Sequence, residues 1–138
     1  MTDRRAFLTA SLTTLATSLL ADATGAAPPT SKVVVQRDTP AVNLEGWQLT
    51  ATEVTYGPGE SAGRHRHPGF VCGYVLEGRY RFAVDGQPER TLSTGEMFFE
   101  QPGDVHAVSG NASDAQPTRI LALVFTKKGD PVTIPGGA

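Results

Sequence analysis

The chain of 138 residues contains three histidines, and all of them fall in two short stretches. His65 and His67 lie in Gly59-Glu-Ser-Ala-Gly-Arg-His65-Arg-His67-Pro-Gly69, and His106 closes Pro102-Gly103-Asp-Val-His106. A neutral imidazole offers a lone pair at physiological pH, which makes it the commonest protein ligand for metals. Histidine used as surface filler would be scattered, so this grouping points to a metal site. The His-x-His spacing has a geometric reason. On a strand, side chains at i and i+2 share a face, so two imidazoles can converge on one ion while a third arrives from elsewhere. The alternative is three histidines in solvent or core roles with no metal.

Such ligands need strands to hold them, and the remaining pattern supplies strands. With 15 Gly and 10 Pro the chain is rich in turn residues, which favours short strands over long helices. Val33-Val34-Val35 is β-branched and reads as a first strand. Trp47 to Tyr56 alternates loosely and stops at Gly57-Pro58-Gly59. Phe70 to Leu76 is apolar, and Arg79 to Val84 alternates polar with apolar residues, as a half-buried strand does. Asp85-Gly86 follows as a hairpin turn. Glu96 to Glu100 is a further strand, and Ile120 to Phe125 is an unbroken apolar run, expected to be buried on both faces. Strands of this length and spacing predict an all-β antiparallel sandwich or barrel.

The amino terminus reads differently. Thr2-Asp3-Arg4-Arg5-Ala6-Phe7-Leu8 resembles a twin-arginine export signal. Ala6 to Leu20 is weakly apolar, too short and too polar for a membrane span of roughly 20 apolar residues. Small residues between Ala21 and Ala27 offer cleavage sites. The expected organisation is an export signal over residues 1–26, a linker over 27–32 and the barrel domain over 33–138. The mature protein is then periplasmic or secreted, with no stable membrane span. The alternative is an amphipathic helix that stays attached. Export that persists after replacing Arg4 and Arg5 by Lys would refute the signal.

Composition excludes some partners. Lys plus Arg is 12 and Asp plus Glu is 14, a net charge of −2. That balance gives no electrostatic reason to expect nucleic acid. The single cysteine, Cys72, rules out an intrachain disulfide; it is either a reactive thiol or, as free cysteines usually are, a small buried apolar residue. Nucleophile-elbow, phosphate-loop and dinucleotide fingerprints are absent.

Gly59-x5-His65-x-His67, followed by Tyr74-Val75-Leu76-Glu77-Gly78, resembles the first motif of the cupin superfamily. Gly95-x6-Pro102-Gly103-x2-His106-x4-Asn111 resembles the second, with one extra residue before the proline and one before the asparagine. The resemblance implies a small antiparallel jelly-roll barrel, able to form homodimers, with a metal inside it. By position, His65, His67 and His106 become its ligands. The family's glutamate would fall on Val71, which cannot ligate. Glu100 stands where many cupins place an apolar residue facing the interior. It either reaches solvent at its strand end or turns inward as the missing carboxylate. Three histidines and a carboxylate suit one divalent Fe, Mn, Zn, Ni, Co or Cu ion. Val71, Val75 and Phe98 are the expected apolar wall of the pocket. Arg64 and Arg66 should face outward, Tyr74 should serve packing, and Asn111 should serve a turn.

Two functions follow. One is a metal-dependent enzyme acting on a small organic molecule, such as an oxidoreductase of the dioxygenase type. The other is a cupin that binds a metal or small ligand without turnover.

Overall fold

In Arg79-Tyr80-Arg81-Phe82-Ala83-Val84 large apolar side chains recur at every second position. Such a segment buries most when extended with one face on a core. The computed structural model describes residues 29–137, and those residues contain strands and turns but no helix. Consequently no helix among them is long and apolar enough to cross a membrane. The strands are β1 (Trp47–Tyr56), β2 (Ser61–Ala62), β3 (His65–Arg66), β4 (Phe70–Glu77), β5 (Arg79–Val84), β6 (Arg90–Ser93), β7 (Met97–Glu100), β8 (Val105–Asn111), β9 (Thr118–Lys127) and β10 (Ile134–Pro135).

They form two antiparallel sheets. One is four-stranded in the order β1-β9-β4-β7. The other is six-stranded, in the order β10-β3-β8-β5-β6, with β2 also paired to β8. This is the all-β jelly-roll barrel that the sequence predicts. Tyr56, Val71, Val75, Tyr80, Phe82, Val84, Leu92, Phe98, Ile120 and Val124 fill the space between the sheets. Gly73 faces Phe98 directly across β4 and β7, and the Phe98 ring occupies the place that a Cβ on Gly73 would take. A glycine is required there because the ring leaves no room for a Cβ.

The sequence reading needs three amendments. Val33, Val34 and Val35 form no strand and are exposed; β-propensity alone cannot make a strand where no neighbour accepts its hydrogen bonds. The run Ile120 to Phe125 lies in β9, between β1 and β4. Its inner face is buried at Ile120 and Val124, but Leu121, Leu123 and Phe125 on the outer face are only half-buried. The Asp85-Gly86 turn is closed by Gln87 N–H donating to the Val84 carbonyl at 3.1 Å, but only Gly86 takes positive φ, at 77°, and not both residues as the commonest Asp-Gly hairpin turn has. Residues 29–32 of the expected linker are exposed and irregular. The expected export segment lies outside the described residues.

Candidate metal centre

β3 and β8 are neighbours, and their register pairs His65 with His106. Paired residues of antiparallel strands hold their Cβ atoms about 5 Å apart, so the two imidazoles meet at a centroid separation of 4.8 Å. His67, just past the end of β3, lies two residues beyond His65 and packs edge-on against it at 5.3 Å. Arg66 between them is exposed, and Arg64 pairs with Asp85 at the surface (2.6 Å). One ring nitrogen from each histidine lies within 4.8 Å of the others. Two imidazoles on one ion at about 2.1 Å sit at most about 4.2 Å apart. The cluster is therefore nearly closed to ligating geometry.

Each ring is oriented through its other nitrogen. His65 Nδ1 lies 2.8 Å from the Gly63 carbonyl, and His67 Nδ1 lies 2.6 Å from the Val132 carbonyl. His106 Nε2 meets the Tyr80 hydroxyl at 3.3 Å. Such partners fix the tautomer and aim the free nitrogen, as they do around bound metals. Burial, and then the neighbouring His106 and His67, hold the His65 pKa below its ordinary value, against the opposing pull of the Gly63 carbonyl and of Glu100. A ring kept neutral in this way has its lone pair available.

Glu100 comes from the other sheet. It is 3% exposed and is the direct cross-strand partner of Val71, the position at which the cupin pattern places its carboxylate. The acid has thus moved one strand sideways while facing the same interior. Its Oε1 lies 3.1 Å from His106 Nδ1 and its Oε2 lies 3.9 Å from His67 Nε2. The first approach is short but not aligned as a hydrogen bond, and both Glu100 Oε2 and His106 Nδ1 are buried with no hydrogen-bond partner. Orphaned buried polar atoms are costly, and here two of them point into one cluster of lone pairs. A cation there would satisfy both, so the residues fit a metal.

The cluster opens into a cavity of about 450 Å³. Val71, Phe98, Val54, Ile120 and Val124 make much of its wall, and no Lys or Arg is among the described residues lining it. Val75, expected on that wall, is instead fully buried in the core. It shares a face with Val71 but lies four residues further along β4. Cys72 points to the opposite face, is half-buried, and has its thiol pKa raised by burial. Tyr74 is half-buried on that same outer face. Asn111 is a buried node: its Nδ2 donates to the Gln116 carbonyl at 2.7 Å, and its Oδ1 accepts from Thr118 Oγ1 at 2.8 Å.

Sequence reasoning missed Tyr56, Tyr80, Ser109 and Val132. Tyr80 was findable, since β5 alternates and puts Tyr80, Phe82 and Val84 on one face. Ser109 was not. The β5–β8 register skips Ala107, a bulge that places His106 and Ser109, three residues apart, on the same side.

The comparisons agree with this geometry. The profile described as Cupin domain matches residues 52–124, more than half of the chain, and the chain belongs to that family. No curated protein sequence matches it. Among solved structures it is similar to the DMSP lyase DddQ from Ruegeria pomeroyi DSS-3, with 25% identity and a TM-score of 0.54 over 63% of this chain and 42% of that one. It is similar to a cupin-like protein from Thermotoga maritima, with 23% identity and a TM-score of 0.55 over 65% of each chain. It also resembles a predicted oxalate decarboxylase from Thermotoga maritima, with 24% identity and a TM-score of 0.51 over 60% of this chain and 69% of that one. The chain thus spans about two fifths of the length of the DMSP lyase. The cupin fold, shared with enzymes of these kinds, here carries a histidine triad able to hold a metal.

Proposed function

We propose that this cupin binds one divalent transition metal through His65, His67, His106 and Glu100 and uses it to transform a small organic molecule. The observation that carries this reading is the pair of buried orphans, Glu100 Oε2 and His106 Nδ1, turned toward the histidine cluster at the edge of a largely apolar cavity. Bound there, the metal would supply Lewis acidity or a redox centre. The protein's own part is positional. The Gly63 and Val132 carbonyls and the Tyr80 hydroxyl hold the three rings in place. Glu100 lowers the charge of the centre. The apolar wall limits water around a bound molecule.

The relatives named as a DMSP lyase and a predicted oxalate decarboxylase act, by those names, on different chemistry, so the reaction is not inherited from them. The lining argues against a multiply charged anion such as oxalate, which would find no Lys or Arg among the described residues of this cavity. A neutral or singly charged, mostly apolar molecule fits better. An oxidoreductase of the dioxygenase type is the reaction class this reading favours, because a four-donor site leaves coordination positions open. The test is elemental analysis of gently purified protein, followed by oxygen uptake with a panel of small organic compounds. Metal at one equivalent with substrate-dependent uptake is expected. A metal-free protein whose ring nitrogens splay outward sinks the metal reading, and metal without turnover leaves a binding protein.

A further inference from the structure

A line of hydroxyls leads away from His106 across the barrel. Tyr80 OH lies 3.3 Å from His106 Nε2, Ser109 Oγ lies 2.6 Å from Tyr80 OH, and Tyr56 OH lies 2.7 Å from Ser109 Oγ. Tyr80 is fully buried, Ser109 is 3% exposed and Tyr56 is 9% exposed. All three also line the cavity, so the protons of the line go to one another or to a bound molecule.

Its direction is set at the His106 end. The orphaned atom facing Glu100 is Nδ1. If Nδ1 gives its lone pair to the metal, the proton of the neutral ring sits on Nε2, which then donates to Tyr80. The Tyr80 oxygen is thereby an acceptor, and its own O–H donates to Ser109. Ser109 in turn donates to Tyr56. Ser109 Oγ can accept from Tyr56 too, but donating to it pairs the proton of the more buried of the two hydroxyls. A hydroxyl carries one proton and accepts at its oxygen, so Tyr56 ends the line with its proton uncommitted. Tyr56 lines the cavity, among Thr52, Val54, Ile120 and Ala122.

We propose that Tyr56 is a specificity-determining residue. Its O–H is the donor that selects a substrate bearing an acceptor oxygen on an apolar body, away from the end that reaches the metal. The inference rests on the metal reading above and narrows its substrate class. A donor left unmatched in an apolar pocket penalises any ligand lacking the acceptor, so a site of this kind discriminates more by what it rejects than by added contact.

The test uses Zn²⁺-loaded protein and calorimetric titration with benzohydroxamate, with its 3- and 4-acetyl derivatives, and with the matching isopropyl derivatives. The isopropyl group has nearly the shape of acetyl but lacks the oxygen. At one of the two ring positions the acetyl probe is expected to bind about 3- to 10-fold more tightly than its isopropyl partner, the range of one neutral hydrogen bond. Tyr56→Phe should abolish that preference while leaving zinc content and the affinity of unsubstituted benzohydroxamate unchanged. Ser109→Ala should retain it, because Tyr56 keeps its proton. Equal binding of acetyl and isopropyl probes in the parent overturns the assignment, as does a preference that persists in Tyr56→Phe or that emerges only in Ser109→Ala, which would place the Tyr56 proton on Ser109. Failure of unsubstituted benzohydroxamate to bind, with no zinc retained, removes the metal reading and this inference with it. Zinc and benzohydroxamate binding without an acetyl preference removes this inference alone.

Discussion

The two sheets contribute unlike halves of the cavity. The six-stranded sheet brings His65, His106, Tyr80 and Ser109, with His67 just past β3, whereas the four-stranded sheet brings Val54, Val71, Phe98, Ile120 and Val124. Among the described residues, Glu100 is the only charged side chain that the four-stranded sheet sends in. The difference teaches where precision comes from. His65 and His106 are paired within one backbone ladder, so their separation follows from strand spacing and survives small changes in packing. Glu100 reaches them across the gap between sheets, and its distance depends on how Phe98 of β7 packs against Tyr80 of β5, at a ring separation of 5.1 Å. One half of the site is set by hydrogen-bonded register, the other by side-chain packing.

Removing a histidine should therefore have the largest effect. His65→Ala, His67→Ala or His106→Ala each deletes a donor that no neighbour on the same sheet can replace. Metal affinity measured by competition with a chelator should fall by more than about 100-fold, beyond the usual effect of losing an outer partner of a ligand. The fold should persist, since none of the three belongs to the apolar core cluster. Retention of parental affinity in any one variant would remove that residue from the ligand set.

Glu100 gives a sharper test, because the same carboxylate could arrive from the adjacent strand. Glu100→Gln should weaken metal binding by about 10- to 100-fold, a smaller loss than for a histidine because the triad stays intact. In Glu100→Val, adding Val71→Glu should recover most of that loss: the two positions are direct partners, both inward and both almost fully buried. The double variant keeps the volume of the pair and changes only which strand carries the charge. If it binds as weakly as Glu100→Val, the site needs its acid on β7 in particular. If Glu100→Gln binds as tightly as the parent, the centre is a bare three-histidine one.

What could be read in the sequence divides along the same line. The bounds of β1 and β5 follow from alternation alone, and the grouping of the histidines is visible without a fold. An inward Glu100 is consistent with its two-residue spacing from Phe98. Long-range partners were hidden. Val132, whose carbonyl holds His67, belongs to a short proline-flanked tail in which β10 pairs with β3 over two residues. No periodicity announces so brief a pairing. The bulge at Ala107 is equally silent, because it breaks the alternation that a strand reading assumes. Val33 to Val35 mislead for the opposite reason: their propensity is strong, but they pair with no strand.

Acidity should produce the smallest effect, and one that involves both sheets. The His65 pKa is lowered chiefly by burial and further by its two histidine neighbours on the same side of the cavity, while Glu100 from the opposite sheet raises it. A base with a lowered folded-state pKa binds fewer protons when folded than when unfolded. Stability is then full above the unfolded value of 6.5 and is lost as pH falls below it, until the folded ring itself takes up a proton. Metal-free protein should lose a few degrees of melting temperature from neutral pH to mildly acidic pH, and His65→Gln should flatten that part of the profile. Glu100→Gln should steepen it, because one of the two contacts that favour the charged ring is gone, leaving the Gly63 carbonyl alone. Thermal melts of the three proteins across that range decide the matter. A Glu100→Gln profile parallel to the parent's would mean that the carboxylate does not reach His65, and that the two halves of the site are coupled only through a metal.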